Sequence, residues 1–298
     1  MILPAGRTPL CVAVDEFCEI IRRRSGGTRK SWETDVSRLR AAGELLDVDY
    51  VQEITPSAVA RVLDAKEAQL RSPKTINNFR EVVQRFCNFL LMERDVAFDM
   101  TGRTNPAALI RRRREDAPEI RFLEPDELDR LLDGLSDRLQ IRAMVAVMAF
   151  AGLRRGEVCW LTKEDVDLGA RLVIVRAKTI DDESWQPKTA RNRSIPISTR
   201  LAGELRRWES PSGTVWYFPS PHGSRWQEDN FSRSLRNAQA SMFTFWGSLH
   251  LRHTFGTALA RKDVSLYKIS TLMGNSPEIV RRHYAVLRSE DLRDEVEF

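Results

Sequence analysis

Along the first hundred positions the apolar residues recur at intervals of three and four. Between 12 and 24 they are Val14, Phe17, Ile20 and Ile21, and Gly26-Gly27 ends the run, which predicts one amphipathic helix. The same spacing predicts helices over 31–46, after Thr55-Pro56 (Val59, Val62, Leu63) and over 75–92 (Ile76, Phe79, Val83, Phe86, Leu90). Thr55-Pro56 reads as an N-cap with proline in the first turn. Four helices with short connections predict a small all-α bundle.

A polar stretch follows. Arg111 to Arg114 form an unbroken basic run after Asn105-Pro106, and Glu115, Asp116 and Pro118 come next, which predicts an exposed linker whose arginines contact phosphate. Glu124-Pro125-Asp126 starts a new helix carrying Leu128, Leu131 and Leu132. Ile141, Met144, Val145 and Met148 mark a buried helix that runs up to Gly152. The β-branched segments 172–176 and 194–197 read as strands, and the polar connection between them predicts an extended hairpin. From Leu201 onward the helical pattern returns, broken by a loop at 220–224. The predicted fold class is therefore mainly α with a small β-sheet (α+β).

Composition changes this picture only a little. A chain of 298 residues is long enough for two domains with their own cores, and 30% charged with 42% apolar residues predicts a soluble globular protein. Lys and Arg number 47 against 42 Asp and Glu, a modest basic excess that permits a polyanionic partner. Cys11, Cys18, Cys87 and Cys159 lack CxxC spacing, which argues against a zinc site or a disulfide framework and predicts buried thiols in a reducing cytoplasm. No uncharged apolar run approaches the length of a membrane span, and the first ten residues lack a signal-peptide pattern, so the protein is expected to act inside the cell.

Four strings carry the candidate chemistry: AGLRRGEV (151–158), LHLRHTF (249–255), LMGN (272–275) and RRHYAVL (281–287). In their order and separation they resemble the catalytic domain of tyrosine recombinases, the phage-integrase family. The resemblance implies a core-binding helical domain over 8–105, a basic linker over 106–121 and a catalytic domain over 122–298. It further implies a site-specific recombinase that cleaves and rejoins duplex DNA through a 3′-phosphotyrosyl intermediate. The expected partners are double-stranded DNA and further copies of the chain, as a tetramer on paired sites held by exchange of 285–298. Neither a metal nor a nucleotide cofactor is expected, because fixed cations supply the charge stabilisation and the covalent bond stores the phosphodiester energy.

The residue types suit that chemistry. A phosphodiester repels nucleophiles and gains negative charge on its non-bridging oxygens as it is attacked, so planar, permanently charged guanidinium groups fit the site. By the family pattern these are Arg154, which directly follows Gly-Leu, and Arg252; Glu157 stands one helical turn after Arg154, where it can orient it. Tyr284 matches the nucleophile, nine residues after Asn275, which takes the place of a second histidine as a neutral hydrogen-bond donor. For the general-acid lysine, spacing from the second strand favours Lys188, and spacing from the Arg154 side favours Lys178; Lys188 is preferred. One departure stands out. The family's acid/base histidine lies three residues before the arginine, where this chain has Leu249, so His250 is the candidate replacement and His253 is assigned a structural role by the resemblance. Leu249 and Asn275 motivate a competing reading, a catalytically impaired DNA-binding protein of the same fold.

Overall fold

A computed structural model describes residues 6–24, 29–116 and 120–284. The chain divides into two compact units, 1–118 and 119–298. Gly26-Gly27, Pro118 and the 285–298 segment expected to be exchanged between subunits lie outside the described residues.

The first unit contains α1 (Leu10–Arg24), α2 (Arg29–Leu46), α3 (Pro56–Ala68) and α4 (Pro73–Glu93). The predicted starts are late by two residues at α1, α2 and α4, since the first turn of a helix carries little of the apolar period. The Thr55 hydroxyl accepts from the Ala58 backbone N–H at 3.1 Å and Pro56 opens α3; Ser72 and Pro73 repeat the arrangement at α4. Leu39, Leu46, Val59, Leu63, Val83, Phe86 and Leu90 meet in the core with no exposure, and Phe17 stacks on Phe89 at 4.9 Å. Cys18 and Cys87 are buried there, but Cys11, expected to be buried, is on the outer face of α1 and exposed.

Residues 106–116, expected to form an exposed linker, belong to this unit. Asn77 on α4 holds the Arg113 peptide from both sides, accepting its N–H and donating to its carbonyl at 2.8 Å each, while Arg80 donates to the Ile110 carbonyl at 2.6 Å. Two arginines of the basic run are committed to ion pairs: Arg112 with Glu81 at 2.8 Å and Arg113 with Asp64 at 2.7 Å. The acidic partners lie far away in sequence, which is why the run reads as free charge when taken by itself.

The second unit contains α5 (Pro125–Asp133), α6 (Leu139–Ala151), the one-turn α7 (Arg155–Cys159), strands β1 (Val166–Asp167), β2 (Leu172–Val175), β3 (Lys178–Ile180), β4 (Glu183–Trp185) and β5 (Arg193–Pro196), and α8 (Thr199–Arg206), α9 (Glu228–Ala238), α10 (Ser248–Ala260), α11 (Leu266–Met273) and α12 (Pro277–Tyr284). β1, β2 and β5 make an antiparallel sheet in that order, with Leu172 opposite Pro196 and Val175 opposite Arg193. The predicted strands are thus β2 and β5. The polar connection between them forms a separate two-stranded hairpin, β3–β4, whose base is held where Trp185 stacks on Trp160 at 5.7 Å. α6 is apolar around nearly its whole circumference and is buried between α8 and α10, so it is the central rod of the unit. Among the described residues no helix is long and apolar enough to cross a membrane.

A buried ion pair joins α6 to α8: Arg142 donates to Glu204 at 2.6 and 2.9 Å. Hydrogen bonding to Arg142 holds the Glu204 carboxyl below the usual carboxylate range. Glu204→Ala removes the bidentate partner of that buried guanidinium, leaving it the Leu132 carbonyl and Asp133 at 3.6 Å, and is expected to cost about 3 kcal/mol in urea unfolding of the full chain, whereas the double change Arg142→Met with Glu204→Leu recovers most of the loss.

Candidate active site

The site is built around one carboxylate. α6 ends at Gly152, whose φ of 65° is left-handed, and the chain turns sharply through Leu153 into α7. Glu157, 3% exposed, lies in that single turn. Its Oε2 accepts the Arg154 backbone N–H at 2.7 Å and Arg193 Nη2 at 2.6 Å, while its Oε1 accepts Arg154 Nη1 at 2.9 Å and Arg193 Nη1 at 3.0 Å. Arg252 Nη1 stands 3.9 Å away. Burial works to raise the Glu157 carboxyl, but Arg193, the Arg154 N–H and Arg252 outweigh it and hold it below the usual carboxylate range.

Three guanidiniums therefore share one buried carboxylate, and backbone carbonyls do the rest of the holding. Arg154 Nη2 donates to the Gly274 carbonyl at 2.8 Å. Arg252 donates through Nη1 to the Gly152 carbonyl and through Nη2 to the Met273 carbonyl at 2.6 Å. Burial, and then the neighbouring Arg154 charge, draw the Arg252 pKa down to about 9, which still leaves it charged at neutral pH. Asn275 Oδ1 accepts from Arg154 Nη2 and, at 3.1 Å, from Arg252 Nη2. With its carbonyl end accepting from two cations, the amide NH2 is the end of the side chain with hydrogen atoms to donate.

Tyr284, 5% exposed, ends α12 against α10, where its ring covers Gly256 so closely that a Cβ at 256 would overlap it. Its Oη lies 2.9 Å from His253 Nδ1. Burial pushes the phenol up to about 12, against the opposing pull of Arg252 and Arg154. Burial, followed by His283, Arg252 and His250, holds His253 down to about 4, so the imidazole is neutral at physiological pH.

The structure thus brings Arg154, Arg252 and Asn275 together, with Tyr284 near enough to feel both arginine charges. His250 is placed differently from expectation. Its Nδ1 accepts the Gly247 N–H at 3.2 Å, capping the start of α10, and its ring meets Trp246 edge-on; among the described residues no hydrogen bond ties it to either arginine or to Tyr284. Leu249, at the family's histidine position, is 62% exposed. Lys188 lies exposed in the turn between β4 and β5. Lys178 is fastened at the base of the inserted hairpin, donating to Asp165 and, at 3.0 Å, to the Trp160 carbonyl. Arg193 escaped notice in the sequence, although its alternation with Ile195 on β5 places both on the inward face.

The profile of the phage integrase family matches residues 121–290. A tyrosine recombinase XerC of Xanthomonas campestris pv. campestris (strain B100) is 23% identical over 291 residues, which take in 94% of this chain and 85% of the relative. A tyrosine recombinase XerA of Thermococcus kodakarensis is 31% identical over 178 residues, 57% of this chain and 60% of the relative. In fold, the chain is similar to the Tn1549 transposon integrase in complex with circular intermediate DNA, with a TM-score of 0.75 at 17% identity over 97% of this chain and 99% of that one. It is also similar to the lambda integrase of a tetramer bound to a Holliday junction, with a TM-score of 0.72 at 17% identity, covering 93% and 78%.

The depressed His253 pKa couples folding to acid. In the unfolded chain the imidazole takes a proton near pH 6.5, and in the fold only near 4, so its contribution is complete above 6.5 and is lost as the pH falls from 6.5 toward 4. His250 and His283 shift in the same direction. Thermal melts of the full chain are expected to fall over this window, and His253→Gln to flatten part of the fall.

Proposed function

Because this chain belongs to the phage integrase family, we propose that it is a site-specific DNA recombinase that cuts and rejoins duplex DNA through a 3′-phosphotyrosyl bond. The observation that carries the reading is the convergence of Arg154, from the turn into α7, and Arg252, from α10, on the Asn275 carboxamide, with Glu157 behind them. A scissile phosphate bridging the two arginines and the Asn275 NH2 replaces hydration with fixed donors, and those donors serve the charge that grows on its non-bridging oxygens. Tyr284 Oη attacks phosphorus. The bond to the 5′ oxygen breaks, and Lys188, on its exposed turn, gives that oxygen a proton. Attack by the 5′ hydroxyl of a partner strand then reverses the linkage and frees the tyrosine.

Lys188 suits the acid role because its turn is solvent-facing and carries no ion pair among the described residues, whereas Lys178 is committed to Asp165. His250 has a positioning role at the start of α10. Relatives and fold neighbours that are recombinases and integrases support duplex DNA as the partner, and the tetramer on a Holliday junction supports assembly of four copies on paired sites. The work is done on DNA in the cytoplasm. Leu249 favours the second reading, a binding protein without chemistry, and the covalent adduct separates the two.

On a nicked duplex bearing the core site, wild type is expected to accumulate a covalent protein–DNA adduct and Tyr284→Phe none, with binding retained. Absence of an adduct from wild type would establish the binding-only reading. Arg154→Ala and Arg252→Ala are each expected to slow cleavage by about 100-fold or more, and binding by less. Lys188→Ala should slow cleavage of the normal phosphate and recover on a substrate with sulfur at the 5′ bridging position, whose leaving group needs no proton; Lys178→Ala should not recover. Recovery by the Lys178 variant instead would move the acid to that residue.

A further inference from the structure

Tyr284 must lose its proton to attack, and the sequence supplies few groups to take it. There are four histidines. His250 spends its Nδ1 on the Gly247 N–H at the helix start. His283 precedes the tyrosine on α12, with its ring centroid 6.1 Å from that of Tyr284, and His222 lies in the 220–224 loop. Leu249 has no ionisable group, and the Asn275 carboxamide is held by two arginines. His253 is one residue beyond Arg252 on α10, and its Nδ1 touches the nucleophilic oxygen itself at 2.9 Å.

Resting on the recombinase reading above, we propose that His253 is the general base of this chain, taking the Tyr284 hydroxyl proton on Nδ1 as the phenol oxygen bonds to phosphorus. The tautomer that does this carries its hydrogen on Nε2 and leaves Nδ1 as acceptor. The Tyr284 O–H bond breaks, its proton passes to Nδ1, and its electron pair forms the O–P bond. The P–O5′ bond breaks, and its pair on O5′ takes a proton from the lysine. On rejoining, the phenol oxygen leaves phosphorus and recovers its proton from the imidazolium, so the base is restored without any outside reactant.

The surroundings give this pair a resting state and a trigger. His283, His250, Arg252 and Arg154 surround the two side chains, and with the imidazole near 4 and the phenol near 12 the proton stays on Tyr284 while the site is empty. A phosphodiester seated on Arg154 and Arg252 places negative charge beside the imidazole and favours its protonation. At the same moment the phenol oxygen becomes an ester oxygen and sheds most of its charge. Packing fixes the geometry: the Tyr284 ring lies against Gly256, three residues along α10 from His253, so nucleophile and base rest on the same helix.

The test uses the full chain and a nicked duplex whose core site is recovered by selecting, from random duplexes, those that wild type attaches to covalently. His253→Ala is expected to slow adduct formation by about 100-fold, in the range of a lost general base, with DNA binding within a few-fold of wild type. His253→Gln, which keeps a hydrogen bond to Oη without basicity, should be as slow while melting near wild type. The deciding arm replaces Tyr284 by a fluorotyrosine, whose more acidic phenol needs less help. In the His253→Gln background it should restore at least tenfold of the rate, and in wild type it should change little. Wild-type rates in either His253 variant would overturn the proposal. So would a slow variant that fluorotyrosine leaves slow, which would make His253 a positioning residue. An adduct formed by Tyr284→Phe would instead overturn the underlying assignment of the nucleophile, so the two failures are distinguishable.

Discussion

The second unit depends on an imbalance it cannot resolve by itself: three guanidiniums, from Arg154, Arg193 and Arg252, crowd one carboxylate, Glu157. Burying positive charge in excess of negative is costly in a medium that screens poorly. The fold meets that cost with backbone carbonyls of Gly152, Leu272, Met273 and Gly274 and with the Asn275 amide oxygen. Each of these spreads the charge without cancelling it. Under the proposed recombinase reading that surplus is what would receive the charge of a phosphodiester under attack, and Glu157 holds the two guanidiniums of Arg154 and Arg193 in place.

Much of this architecture was legible beforehand, and for identifiable reasons. The long helices α1 to α4 and α6, and the strands β2 and β5, have periods that hold over enough residues to read, and the arginines and tyrosine sit in strings whose spacing is distinctive. The one-turn α7, the two-residue β1 and the β3–β4 hairpin are too short to show a period, so they were not. Arg193 was missed because a basic residue in a short strand reads as surface until its partner, thirty-six residues earlier, is known. The basic run at 111–114 is largely exposed, as expected, but the ion-pair partners of Arg112 and Arg113 were not legible, since Asp64, Glu67 and Glu81 reach them only through the fold.

The histidines show most clearly where spacing stops being informative. Two residues before Arg252, His250 looked like a displaced member of the site, yet the first turn of α10 offers its backbone N–H groups to any nearby acceptor, and the ring is used there. His253 takes a structural role by the family resemblance alone. What brings it to the phenol oxygen is the packing of α10, α11 and α12 on one another through Phe255, Ile269, Met273, Val280 and Tyr284. That cluster is apolar packing, and no arrangement of polar letters in the sequence announces it.

Both arginine-holding loops turn on glycine. Gly152 and Gly274 close α6 and α11 in the left-handed conformation, with φ of 65° and 60°, and each presents its carbonyl to a guanidinium. Behind each there is no room for a side chain: Phe255 fills the space at 152, and the Arg193 guanidinium lies 2.9 Å from where a Cβ would stand at 274. The one glycine in each of the strings AGLRR and LMGN is thus a statement about backbone shape, made by a residue with no side chain to contribute. A mutation at either glycine would leave every reactive group chemically intact and still blind the site, because the two helix ends act as the sockets into which the cations are plugged.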